Sequence, residues 1–321
     1  ARDLGLCRTI LFILCVSVSA ISIQIVLGFR PFQFLESTTT QKKSQQPSGE
    51  ETLLGLTGDD ANFAKKKLSN GYRIALVGDS IMRYQYVSLA LYLHTGRWPS
   101  NEDKPTMMLY KEFKGWHAYF QASREALSPF EQCNCNRVMN GNLPDMEKSY
   151  ENRYYLEGNH SLTYITKAGL HPAVGHWDAS HVHKKHENLT SSNSLRWSYN
   201  WTGLICEYLT HLDPKPDYVV LNAGRWGHDL NETHVQDSII NALKETGMVG
   251  IYKTTTASKH EQTEEQFAPS GAHDAPMCDL FIANGHFCLH MNWTLGLSKR
   301  EYFDTLHLRP NANKVTNLRL L

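Results

Sequence analysis

The chain has 321 residues, 41% of them hydrophobic and 20% charged, with a formal net charge of zero. That composition describes an ordinary globular protein with room for one large domain or two small ones. It carries no basic excess of the kind that marks a nucleic-acid-binding surface.

Residues 9–27, TILFILCVSVSAISIQIVL, hold no charge. As a helix they span roughly 28 Å, close to the hydrocarbon thickness of a bilayer. Arg2 and Arg8 precede the run, which suits a cytoplasmic N-terminus and a luminal body. A cleaved signal peptide is the rival reading, because VSA at 18–20 resembles a cleavage site. Apolar residues continue well past it, so the expectation is a cytoplasmic tail at 1–8 and an uncleaved anchor at 9–29. Both readings place the body in the secretory pathway. Five Asn-x-Ser/Thr sequons, at Asn159, Asn188, Asn200, Asn231 and Asn292, agree with that placement. Of seven cysteines, Cys7 and Cys15 lie in or beside the apolar run, leaving Cys133, Cys135, Cys206, Cys278 and Cys288. An oxidising lumen favours one or two disulfides among these. Proximity favours Cys278 with Cys288, although spacing does not fix connectivity.

The polar segment ESTTTQKKSQQPSGEET (36–52) reads as part of a flexible stem covering 30–68, ahead of a luminal domain at 69–321. YRIALVG is a short strand-type run. It ends in Gly-Asp-Ser, and IMRYQYVSLALYLHTG then has helical spacing with Gly96 as its C-terminal cap. Residues 97–200 break this rhythm. NRYYLEGNHSLTYITKAG (152–169) reads as a hairpin turning at Gly158-Asn159, and a histidine-rich loop follows at 171–186. The whole stretch reads as a large insertion forming a lid or second lobe. His181, His183 and His186 have ligand chemistry, but a solvated loop beside two lysines accounts for them more simply. Beyond 200, DYVVLNAG (217–224) is a buried strand, ETHVQDSIINALKETG (232–247) an amphipathic helix, and VGIYKTTTA (249–257) another strand. Strands alternating with helices predict an α/β fold with a mainly parallel sheet covered on both faces.

In such a sheet, ligands bind beyond the carboxyl ends of the strands. Ser80 falls there. Its backbone N–H and the positive end of the following helix point into the site, although Ser and Asp also start helices with no catalytic role. In YFDTLHLRPNANKV (302–315), Asp304 and His307 are three residues apart. That spacing lets the carboxylate receive the imidazole Nδ1–H and leaves Nε2 for the Ser80 proton. Pro310 suits the start of a final helix. LNAGRWG (221–227) follows the second clear strand: Asn222 can donate to an oxyanion and Gly224 permits close backbone approach, while a plain turn also uses Asn and Gly. Arg83 lies one turn after Ser80. It suits an oxyanion, an acyl donor or a substrate carboxylate, and equally a structural arginine pairing an acid. Packing accounts for most of the tryptophans. Trp226, on the loop facing the site, is the one to test for sugar stacking.

VGDSIMRYQY, LNAGRWG and DTLH, in this order, resemble the SGNH/GDSL hydrolase superfamily. Within it the chain looks like the PC-esterase and trichome birefringence-like O-acetyltransferase branch, which is similar also in its anchor, polar stem and arginine after Gly-Asp-Ser. The resemblance spans roughly residues 70–315, with three short specific blocks. LRPNAN stands where the plant transferases carry a Trp-Cys-Leu-Pro-Gly type segment, and no separate oxyanion glycine block lies between Ser80 and Asn222. The resemblance implies a three-layer α/β/α SGNH-like domain in a single-pass type II protein of the Golgi or endoplasmic reticulum. It implies acyl transfer through a Ser80 ester, with His307 as base, Asp304 orienting it, and Ser80 N–H with Asn222 on the oxyanion. The acyl group that the resemblance implies is an O-acetyl on a glycan. Anchor and stem favour a transferase; an acetyl esterase and a non-catalytic carbohydrate-binding protein are the alternatives. The partners implied are a glycan and the membrane. The chemistry calls for an acyl donor as co-substrate, with no cofactor, metal or nucleic acid.

Overall fold

The computed structural model describes residues 71–100, 103, 113–141, 143–145, 148–176, 196–226, 230 and 232–321. The expected tail, anchor and stem lie outside these residues, as do His181, His183, His186 and the sequons at Asn188 and Asn231. No helix among the described residues is long and apolar enough to cross a membrane.

The chain runs through strand β1 (Arg73–Gly78), helices α1 (Ser80–Thr95) and α2 (Trp116–Glu125), and strands β2 (Glu131–Asn136), β3 (Tyr150–Glu157) and β4 (His160–Thr166). It continues with β5 (Tyr218–Leu221), α3 (Thr233–Thr246), β6 (Val249–Lys253), α4 (Glu264–Gly271), α5 (Asp274–Ala283), β7 (Phe287–Leu289) and α6 (Pro310–Leu320). One seven-stranded sheet has the order β7-β6-β5-β1-β4-β3-β2. The first five of these are parallel, and β3 and β2 extend the sheet antiparallel. The fold is therefore mixed α/β with a mostly parallel sheet. Strand alternation divides its core in two. Ala75 and Val77 join Val219, Leu221 and Tyr252 under α3 and α5. Ile74 and Leu76 join Val220, Ile251 and Leu289 under α1 and α6.

The second lobe expected at 97–200 is corrected by this topology. The 152–169 hairpin does form, with Glu157 opposite His160, but it belongs to the central sheet: β4 pairs with β1 along its whole length. The stretch reads as an insertion because it breaks the strand–helix alternation, yet the β3 charges at Glu151 and Arg153 are interior and paired. Arg153 contacts Glu131 at 3.1 Å and Glu151 at 2.7 Å, and Arg83 contacts Glu151 at 3.2 Å, all four side chains at most 3% exposed. Within that stretch a short ribbon, Ala173–His176 with Arg196–Tyr199, does stand outside the central sheet.

β1 lies between β4, reached on one side, and β5, reached on the other. The strand order reverses there, and a crevice opens at such a point. Ser80 begins α1 directly beyond it.

Candidate active site

Asp79, not Ser80, caps α1. Its backbone is extended and its Oδ1 accepts the Ile81 N–H at 2.9 Å, which satisfies one of the donors a helix start leaves open. The hydroxyl of Ser80 is thereby released from capping. Tyr164 donates its hydroxyl to the Asp79 carbonyl at 3.0 Å and holds the bend from below.

Across the crevice, Asp304 organises its own turn. Its Oδ1 accepts the Leu306 N–H at 2.9 Å and the His307 N–H at 3.0 Å, and its Oδ2 meets His307 Nδ1 at 2.9 Å. Burial alone would raise this carboxyl. The hydrogen bonds from His307 and Leu306 and the attraction of the imidazole outweigh it, and the group sits well below the usual carboxylate range. Its folded value lies under its unfolded one. The stability it contributes is therefore present above about pH 4 and is lost as acid takes the pH down through the folded value. An ionised carboxylate only accepts, so Nδ1 carries the ring proton and Nε2 is the acceptor. Nε2 lies 2.7 Å from Ser80 Oγ. All three side chains are half-buried, open to a ligand yet fixed by packing.

Tyr84 is a member that sequence reasoning missed. Its buried ring meets the His307 imidazole edge-on at 5.2 Å. The signal was available, since Tyr84 is four residues after Ser80 and on the same helical face. Lys253 was missed as well. It shares a row on the α1 face of the sheet with Gly78 and Asn222, and it is 1% exposed. Burial pushes its ammonium down to about 8, with the Asp79 and Asp274 charges acting the other way.

The remaining expected residues divide. Gly224 lies against the site: its φ is +65°, and a Cβ there would collide with the Asp79 carboxylate. Trp226 is 43% exposed on the loop after β5. Arg83 is not brought to Ser80, because its guanidinium turns into the ion network with Glu151. Asn222 is at the site but its Nδ2 donates to the carbonyls of Lys253 at 2.8 Å and Thr254 at 3.3 Å. That geometry ties the ends of β5 and β6 together and commits the Asn222 amide to the carbonyls of Lys253 and Thr254 rather than to a ligand. Asn222→Ala should accordingly cost about 1–3 kcal/mol of stability, the penalty of stranding buried carbonyls. Its turnover should fall by less than the 10²-fold or more that follows loss of one oxyanion donor. Chemical denaturation and initial rates on an activated acetyl ester check the two numbers.

Cys278, Cys288 and His290 bring metal-ligating atoms within 4.8 Å of one another, but the two sulfurs are joined as a disulfide. That is the pairing proximity favoured. A second disulfide joins Cys133 and Cys135. The described sequon asparagines, Asn159, Asn200 and Asn292, are all exposed. No protein-family model, curated protein or solved structure matches this chain.

Proposed function

We propose that the domain is a serine-dependent acyl-transfer enzyme of SGNH type, a three-layer α/β/α fold whose substrate class is the O-acetyl group of glycans. The observation that carries this reading is the unbroken relay from Asp304 Oδ2 through His307 to Ser80 Oγ, with contacts of 2.9 and 2.7 Å. Ser80 Oγ attacks the donor carbonyl and His307 Nε2 takes its proton. The Ser80 N–H, at the positive end of α1, stabilises the oxyanion. His307 then returns the proton to the departing group. In the second half an acceptor hydroxyl gives its proton to Nε2 and attacks the acyl carbonyl; the Ser80 Oγ–acyl bond breaks and Nε2 returns the proton to Oγ. A sugar hydroxyl makes the enzyme an O-acetyltransferase, and water makes it an acetyl esterase.

The resemblance of VGDSIMRYQY, LNAGRWG and DTLH supports acetyl and glycan as the substrates. The exposed Trp226 offers an aromatic face to a sugar ring. The apolar run at 9–27 and polar stem support a type II Golgi or endoplasmic-reticulum enzyme, which is why transfer is preferred to hydrolysis.

The test is mass spectrometry of the protein exposed to an activated acetyl ester alone. One acetyl mass should appear on the peptide bearing Ser80 and not in Ser80→Ala. In a transferase the adduct persists until a glycan acceptor arrives; in an esterase it decays in water. If turnover proceeds and still needs His307 while rapid quenching shows no adduct, the covalent route is wrong. Absence of both adduct and turnover favours the binding-protein alternative.

A further inference from the structure

Cys133 and Cys135 lie two residues apart on β2, the strand that ends the sheet. Residues i and i+2 of a strand point to one face, which lets the two sulfurs meet with Cα atoms 5.3 Å apart. A bond between them staples nothing. β2 is already held by six consecutive pairs with β3, from Glu131 opposite Tyr155 to Asn136 opposite Tyr150. The stabilisation that a disulfide gives by restricting the unfolded chain grows with the loop it closes, and this loop is the smallest of the two in the described residues. Cys278–Cys288 differs in each respect. It spans ten residues, joins α5 to β7, and has Cys278 3% exposed.

The surroundings of Cys133–Cys135 suit chemistry rather than stapling. Both cysteines are half-exposed. They line a cavity of about 120 Å³ whose other walls are His117, Phe120, Gln121 and Arg124 of α2. Cationic and donor side chains beside a sulfur favour its thiolate, and so make it a better leaving group.

We propose that Cys133–Cys135 is a thiol–disulfide exchange site whose substrates are thiols small or exposed enough to enter this cavity. An incoming thiolate attacks one sulfur, the Cys133–Cys135 bond breaks, and the released cysteine thiolate takes a proton. A second thiolate attacks the mixed disulfide and releases the other cysteine, which is protonated in turn. Two electrons pass from two thiols to the pair, and the thiols leave joined as a disulfide. The β2–β3 ladder is untouched, so the reduced site keeps its shape and the reverse reaction re-forms the bond.

The experiment uses the full chain in glutathione buffers of stepped reduced-to-oxidised ratio, quenched in acid. Alkylation with one reagent before full reduction and a heavier one after it lets mass spectrometry read each pair separately. Cys133–Cys135 should reach half-reduction at a value of [GSH]²/[GSSG] at least about tenfold lower than Cys278–Cys288, in keeping with its greater exposure and the side chains beside its sulfurs. Opening at the same or a higher value would overturn the proposal. Arg124→Gln should open about two- to fivefold more slowly at low ionic strength. A rate equal to that of the unaltered chain would overturn the role given to the cavity.

Discussion

Ser80→Ala and His307→Ala should each lower turnover on an activated acetyl ester by about 10⁶-fold, and the double variant should be barely worse than either. A loss of that size corresponds to about 8 kcal/mol of transition-state stabilisation. It is expected because in the proposed mechanism the two groups act in one step: the 2.7 Å contact between Oγ and Nε2 would carry the proton as the carbonyl is attacked. Without the base the hydroxyl is a poor nucleophile, and without the hydroxyl the base has nothing to activate. Asp304→Asn should cost about 10⁴-fold, since an amide in place of the acceptor carboxylate favours the wrong imidazole tautomer. It should also destabilise the 304–307 turn, which the same carboxylate organises. Unfolding midpoints measured beside the rates separate these effects. Near-additive losses for Ser80 and His307 would mean that they do not share a step, and the relay would lose its meaning.

Where the sequence carried local signals, the structure was legible in it. β1, α1, β5, α3 and α6 are marked by apolar runs, by Gly96 and Gly247 at helix ends, and by Pro310 at a helix start. Asp304 and His307 were legible for the same reason, because a three-residue spacing is enough to let them meet. Ser80 and His307 are 227 residues apart; their places at a strand end and before the last helix suggest the pairing, and the resemblance strengthens it. What could not be read were roles fixed by distant partners. Glu131, Glu151 and Arg153 look like solvated strand residues, and nothing near them in sequence announces that Arg83 and Tyr86 arrive from α1 to pair with them. Arg83 suits a residue of the site on helical spacing and equally a structural arginine pairing an acid, and it pairs Glu151. α1 is buried on every side from Ile81 to Tyr92, so three residues after Ser80 is the interior rather than the crevice. Asn222 was correctly placed at a strand end, but which way an amide points is set by the carbonyls of the next strand.

The buried network carries the second large effect. Two arginines and two glutamates cancel in charge, and their neutral partners complete the bonding: Tyr86 donates to Glu131 at 2.9 Å and Arg153 donates to Ser123 at 2.8 Å. Burial by itself raises both carboxyls. At Glu151 the charges of Arg83 and Arg153 and their hydrogen bonds outweigh burial and hold the group below the ordinary range. Glu131 has Arg153 as its one guanidinium contact, and burial keeps it above. Arg153→Met should therefore destabilise the protein by about 3–5 kcal/mol, as removal of one partner of a buried pair does. Arg153→Met with Glu131→Leu should recover a large part of that loss, because no stranded charge then remains; urea unfolding of the three proteins measures this.

The pH dependence of the Arg153→Met deficit tests the electrostatic account separately. In that variant Glu151 still has Arg83, and Glu131 is the carboxylate left without a cation. Its folded pKa rises further above the unfolded value of about 4.3. Between those two values the native state binds a proton that the unfolded state does not, so this group makes stability fall as pH rises and recover as pH falls. The unaltered protein, with Arg153 in place, shows less of this dependence. The gap between variant and parent, measured at each pH so that titrations common to both cancel, should therefore narrow from pH 8 to pH 5. Once protonated, Glu131 needs no counter-charge and retains its contact with Tyr86. A gap that stays constant over that range would mean that Glu131 is not ionised beside Arg153 in the parent protein. The balance of two cations against two anions would then fail as the reason this core tolerates four charged side chains.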